Sequence, residues 1–148
     1  MAEIGTLFRE YADFLDFSLC FQDFERELAE LPGFYAPPAG RLWLARVDGA
    51  VAGCVGLRPY GASKCEMKRL YLRPGYRGLG LGRRLAELTV AAAEEIGYPI
   101  MRLDTVPKLA TAIALYRDMG FVTVSEPEPE GAPGGLLVFE KRLGAAGP

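Results

Sequence analysis

Residues 64–84, Lys-Cys-Glu-Met-Lys-Arg-Leu-Tyr-Leu-Arg-Pro-Gly-Tyr-Arg-Gly-Leu-Gly-Leu-Gly-Arg-Arg, constrain this chain more than any other stretch. Cys65 to Leu72 reads as a strand, rich in bulky apolar and long side chains. Arg73-Pro74-Gly75 breaks it, because Pro has no ladder donor and Gly admits positive φ. From Leu81 the apolar residues Leu81, Leu85, Leu88, Ala92 and Ile96 recur at helical spacing. Gly78, Gly80 and Gly82 therefore sit between a strand and a helix N-terminus, where free N–H groups and the positive dipole end attract an anion.

Charge is distributed to match. Residues 58–84 carry Arg58, Lys64, Lys68, Arg69, Arg73, Arg77, Arg83 and Arg84 against Glu66 alone. Residues 1–31 carry eight carboxylates against Arg9 and Arg26. Solvated faces explain any single charge, and a small polyanion docking on the basic segment explains the cluster. Nucleic acid is not expected as a partner, since the net charge of −2 makes the whole chain acidic.

The sequence contains no histidine, which excludes a Ser-His or Cys-His nucleophile and any His-ligated metal. A general base must then be a carboxylate, Lys, Tyr, Cys or a relayed water. Cys20, Cys54 and Cys65 are scattered and suit a reduced, cytoplasmic setting; they form no metal-ligand pair, and no metal is expected. Neither a secretory signal nor a membrane-length apolar run is visible, so no membrane partner is expected.

The remaining pattern is read in order. Ile4, Leu7, Phe8, Tyr11 and Leu15 share one helical face, and Phe21, Phe24, Leu28 and Leu31 share a second. Leu31-Pro32-Gly33 stops that helix. Arg41–Val47 and Ala50–Leu57 read as strands around Asp48-Gly49, a hairpin turn, and Tyr60-Gly61-Ala62-Ser63 as a further turn. Gly97-Tyr98-Pro99 ends the central helix. Ile100–Asp104 is a short strand, and a helix starting near Pro107 runs to Met119, closed by Gly120. Phe121–Val124 and Leu136–Arg142 are the last strands, flanking a Ser125–Gly135 loop. The 148 residues suit one domain, an α/β sandwich with a mixed sheet.

Three glycine patterns compete for the turn. A Walker loop needs Gly-Lys-Ser/Thr, and here Arg83-Arg84 follow Gly82. A dinucleotide fingerprint needs a third glycine where Leu85 stands. The third is Arg/Gln-x-x-Gly-x-Gly/Ala, matched by Arg77, Gly80 and Gly82. With Leu70-Tyr71-Leu72 before it and Ala112-Ile113-Ala114-Leu115-Tyr116-Arg117-Asp118-Met119-Gly120-Phe121 after it, the chain resembles the GNAT superfamily of acyl-CoA N-acyltransferases.

The resemblance implies a mostly antiparallel mixed sheet flanked by helices, and an acetyl-CoA-dependent N-acetyltransferase. Acetyl-CoA would be held by Leu70, Tyr71, Leu72, Arg77, Gly78, Leu79, Gly80, Leu81, Gly82 and Arg83, its pyrophosphate on the N–H groups of Arg77 to Arg83. The pantetheine arm would enter between the strands ending at Leu72 and Asp104. Glu66 would act as base through water, or else is a structural carboxylate paired with Lys64, Lys68 or Arg69. Tyr116 would donate to the leaving thiolate, or else is a core tyrosine on the stripe Leu109, Ala112, Ile113, Tyr116. Asp104-Thr105 would line the acceptor side or cap the next helix. Acidic flanks imply an amine acceptor that is cationic.

Two departures stand out. Most members begin with a strand, whereas this chain starts almost inside a helix, so the sheet is expected to lack an edge strand or to have that edge covered by a partner such as a second copy. Many members carry Asn where Leu109 stands. A non-catalytic acyl-CoA binder would keep the glycine turn and dispense with Glu66 and Tyr116.

Overall fold

The computed structural model describes residues 2–15, 24–124 and 137–144. Cys20, Phe21, Leu136 and the expected 125–135 loop with its three glutamates lie outside the described residues. Helix α1 spans Ala2–Leu15 and α2 Phe24–Ala29. The strands are β1 Arg41–Val47, β2 Ala50–Tyr60, β3 Lys64–Leu72, β4 Ile100–Thr105, β5 Val122–Val124 and β6 Leu137–Arg142. Helix α3 spans Leu81–Ile96 and α4 Ala110–Asp118. The sheet order is β1-β2-β3-β4-β6-β5. Among the described residues, only β3 and β4 pair in parallel.

The hairpin between β1 and β2 turns at Asp48 and Gly49, with φ of 52° and 84°, the two positive values a tight two-residue turn requires. Strand β2 runs on to Tyr60, past the expected end at Leu57. Pro59 lacks a donor there but sits one residue from the strand's end. Helix α4 begins three residues after Pro107. Asp104 and Thr105 therefore do not cap it; Leu109 holds that position, without a side-chain bond.

Each face of the sheet buries a separate core. Val55, Leu57, Cys65, Met67, Met101 and Leu103 pack with Leu85, Ala86 and Val90 of α3 and Tyr116 of α4. Cys54, Tyr71 and Val106 pack on the other side with Ile4, Leu7, Phe8 and Phe24. Each fully buried Leu or Phe contributes about 1.5–3 kcal/mol.

Strand β3 breaks its own alternation. Gly56 faces Lys68 and Cys54 faces Tyr71, so Arg69 and Leu70 together oppose Val55. Arg69 has φ of 61°, the mark of a bulge. The extra residue turns Leu70 and Leu72 to the same core as Met67, while Tyr71 joins the opposite one. The signal was in the sequence, because the apolar spacing lengthens from two to three between Met67 and Leu70.

Candidate active site

After β3 the chain runs through a short 3-10 turn, Pro74–Tyr76, and reaches Gly78 and Gly80 at φ of 80° and 79°. Helix α3 starts at Leu81 with no side-chain cap, and Arg84 is the first residue whose N–H reaches back, to Gly80 O at 3.1 Å. The N–H groups of Leu81, Gly82 and Arg83 thus have no partner in the helix. A Cβ at Gly78 or Gly80 would meet nothing within 4 Å, and one at Gly82 would lie 3.6 Å from Leu72 Cδ1. The cradle is open, bare of side chains and lined with donors, which fits a pyrophosphate.

The arginines around it divide their work. Arg77 Nε donates to Leu72 O at 2.9 Å, and its guanidinium lies 4.6 Å from the Phe14 ring centroid. It therefore braces the turn from within. Arg73 is held by Glu10 at 2.7 Å, and that bond keeps the Glu10 carboxyl below its ordinary range. Arg83 bonds to Asp118 at the C-terminal end of α4. Leu79 is 63 % exposed at the lip of the cradle.

Strand β3, which leads into the cradle, borders a gap in the sheet. Strands β3 and β4 pair only at Cys65 with Met101 and Glu66 with Arg102. Beyond that point a pocket separates them, lined among others by Lys68, Leu70, Asp104, Tyr11 and Tyr116. Tyr116 is 6 % exposed, and burial pushes its phenol pKa up, with Tyr11 and Asp104 adding to the rise. At that pKa the hydroxyl stays protonated and serves as a hydrogen-bond donor. On β4 the hydroxyl of Thr105 is buried and bonds to no other described residue.

Glu66 does not line that pocket. It is 1 % exposed, accepts from Arg58 Nε at 3.0 Å, and is bonded by Arg102 through the other oxygen. Lys68 Nζ lies 4.0 Å away. Burial works to raise the carboxyl's pKa, but Lys68, Arg58 and Arg102 outweigh it and hold the group below the ordinary range. Of the three cations expected beside Glu66, only Lys68 is there. Lys64 turns to Glu140 and Arg69 to Glu27. The partners Arg58 and Arg102 come from neighbouring strands in register with Glu66. Cross-strand register was needed to see them.

The acidic helices place several of their carboxylates in ion pairs. Glu3 pairs with Arg46, Glu10 with Arg73, Glu25 with Arg9, Glu27 with Arg69 and Arg58, and Glu30 with Arg26. These carboxylates are matched within the chain. Burial pushes the Cys54 and Cys65 thiols up to about 12, which makes them packing groups and not nucleophiles.

The sequence profile of the Acetyltransferase (GNAT) family matches residues 6–121, which include the glycine turn, the gap and Tyr116. The chain belongs to the GNAT family. It is 42 % identical over 127 residues to an uncharacterized N-acetyltransferase of Schizosaccharomyces pombe, covering 84 % of this chain and 77 % of the relative. It is 36 % identical over 97 residues to the uncharacterized N-acetyltransferase YjgM of Escherichia coli, covering 64 % of this chain and 58 % of the relative. An acetyltransferase from Streptococcus agalactiae superposes with a TM-score of 0.75 at 22 % identity, over 95 % of this chain and 92 % of its own. The acetyltransferase yncA from Salmonella typhimurium, solved with acetyl-CoA, gives 0.63 at 21 % identity, over 81 % and 73 %. Both structures share the fold of this chain, whose described residues form a six-stranded, mostly antiparallel sheet flanked by helices. Among the described residues, no group of three or more Cys, Asp or Glu could hold a metal, and no helix is long and apolar enough to cross a membrane.

Proposed function

We propose that residues 1–148 act as one domain that moves the acetyl group of acetyl-CoA to a primary amine. One observation carries this reading: β3, which lines a sheet gap with Tyr116 in its wall, leads directly into the bare N–H cradle before α3. Acetyl-CoA supplies the activated thioester. The N–H groups of Leu81 to Arg83 bind its pyrophosphate, with Arg77 holding the turn in shape. The buried Thr105 hydroxyl and the unpaired stretches of β3 and β4 receive the pantetheine amides. The N–H of Leu70 or Leu72, next to the bulge, steadies the thioester oxygen as negative charge grows there.

The amine nitrogen bonds to the acetyl carbon, the C–S bond breaks, and the sulfur leaves as thiolate. Tyr116 donates a hydrogen bond to that sulfur. A phenol pushed upward is a poor outright acid, so the thiol's final proton comes through solvent. The acceptor's ammonium must first lose a proton. Asp104 lines the pocket and is placed to receive it, directly or through water. Glu66, clamped by Arg58 and Arg102 and held low, is weaker as a base and stronger as the anchor of the β2-β3-β4 junction. The outer edge of β1 carries no strand among the described residues, which supports pairing with a second copy there.

Clamping of Glu66 away from the pocket also favours a second reading, a GNAT chain that binds acyl-CoA without turnover. Thiol release during an amine screen separates the two. Acetyl transfer to any amine establishes the enzyme. A protein whose melting point rises with acetyl-CoA, yet which releases no thiol, is the binder.

A further inference from the structure

Lys68 and Arg69 are the cationic side chains that line the pocket; Arg69 is paired with Glu27, and acetyl transfer gives Lys68 no task. Lys68 is 5 % exposed and lines the wall together with Asp104 and Tyr116. Its nearest carboxylate, Glu66 at 4.0 Å, is held closer by Arg58 at 3.0 Å and by Arg102. Lys68 therefore stands third around one anion. Burial holds its pKa below the ordinary range, Arg69 and Arg58 add to the fall, and Glu66 and Asp104 offset it only in part, so a further anion would favour the charged form. Asp104 lies across the pocket on β4, 3.6 Å from Arg102. A buried ammonium so placed calls for a further anion on its open side.

We infer that this anion is a carboxylate of the acceptor, and that the acceptors are amines bearing a carboxylate, such as α-amino acids and their close derivatives. The inference rests on the acetyl-transfer reading and narrows it. Lys68 takes the carboxylate and Asp104 faces the ammonium, so the pocket presents opposite charges to the two ends of a zwitterion. A diamine would set a second cation against Lys68, which like-charge repulsion disfavours. In the reaction the carboxylate stays ionised and, bound beside Lys68, favours that side chain's charged form. The ammonium loses one proton before attack and a second as the amide forms, and the C–S bond breaks to release CoA as the thiol.

The test uses the full chain, acetyl-CoA and thiol-release detection. Each amino acid is paired with its amino alcohol, which keeps the side chain and an amine of similar basicity but replaces the carboxylate by a hydroxymethyl group. Diamines form a third series. The expected kcat/KM for the amino acid exceeds that of its amino alcohol by about tenfold to a hundredfold, the range of a hydrogen bond to a charged group. Lys68→Met should raise KM for the amino acid and bring that ratio near one, whereas Lys68→Arg should keep most of it. If Lys68→Met does not fold, the wild-type ratio decides alone. Amino alcohols or diamines acetylated as well as amino acids would overturn the carboxylate role and leave the acetyltransferase standing. Acetyl-CoA binding with no amine in any series acetylated would overturn it too. Absence of acetyl-CoA binding would remove both readings.

Discussion

The face of β3 toward α3 and the face toward α1 and α2 are built from opposite materials. Cys65 and Met67 meet Leu85, Ala86 and Val90 on the first. Glu66, Lys68 and Arg69 meet Arg58, Arg102, Glu27 and one another on the second, and all three are at most 5 % exposed. Apolar burial is non-directional and adds up contact by contact. A buried ion network is conditional: each member is tolerable only while its partners remain. The first face holds the sheet together. The second is costly to keep, which suits a place where charge must meet a ligand.

The largest effect expected from breaking this contrast is on Glu66→Gln. It leaves the buried Arg102 and the half-buried Arg58 beside a neutral amide, a loss of about 3–5 kcal/mol in stability, comparable with Met67→Ala on the other face at about 2–5 kcal/mol. Urea unfolding checks both. The pH dependence distinguishes them. Because the folded pKa of Glu66 lies below its usual 4.5, its contribution is complete above that value and fades as pH falls through the lower folded pKa. The wild type and Met67→Ala should both lose stability on acidification in that window, and Glu66→Gln should lose less. A folded Glu66→Gln with unchanged stability, slowed at neutral pH and rescued at high pH, would make Glu66 a base and erase the contrast.

Gly80→Asp comes next. The Cβ has open space and Asp tolerates positive φ better than most residues, so the chain should fold with a loss near 1 kcal/mol. A carboxylate set against a pyrophosphate costs several kcal/mol. Calorimetry should therefore show acetyl-CoA affinity reduced about a hundredfold or more. Ordinary affinity in a folded variant would move the phosphate elsewhere.

Tyr116→Phe probes the point where the two faces approach the same pocket. The ring keeps its contacts with Phe121 and Phe139, so stability should change by about 1 kcal/mol or less. Single-turnover acetyl transfer should slow about a hundredfold, with acetyl-CoA affinity held. A wild-type single-turnover rate would return Tyr116 to the core.

The two faces also differ in how much of them the sequence could reveal. The glycine turn was legible because its geometry lies in the backbone: Gly78, Gly80 and Gly82 sit between a strand and a helix with plain periodicities. The hairpin at Asp48-Gly49 was legible for the same reason. The polar face was not. Glu66 meets Arg102 from 36 positions away, and Glu27 meets Arg69 from 42, so only strand register and helix docking bring them together. Lys68 read as one more basic residue because burial, which makes it unusual, is a property of the packed sheet. The bulge at Arg69 was written in the lengthened apolar spacing, yet its consequence depends on where β4 diverges.

Gly82→Ala gives the smallest effect and pulls stability and function in opposite directions. Gly82 is the second residue of α3, and an added Cβ makes an ordinary contact with Leu72 Cδ1 at 3.6 Å. The folded chain can accept that methyl group. Alanine also narrows the unfolded ensemble and favours the helix, so the free protein should gain about 0.5 kcal/mol. If Gly82 is present only to let α3 pack, nothing opposes this gain, and acetyl-CoA affinity should follow the wild type. If it is present so that a phosphate can approach the N–H groups, the methyl group keeps the anion at a distance from two or three donors at once. Affinity should then fall about tenfold, as it would for one lost charge-assisted bond. Melting curves with and without acetyl-CoA measure both quantities in one experiment: the free variant should melt slightly higher than the wild type, and the ligand-induced rise should shrink. A variant that melts higher and keeps the full ligand-induced rise would show that the cradle does not depend on close approach at Gly82, and would shift the phosphate contact toward Gly80 and Leu81.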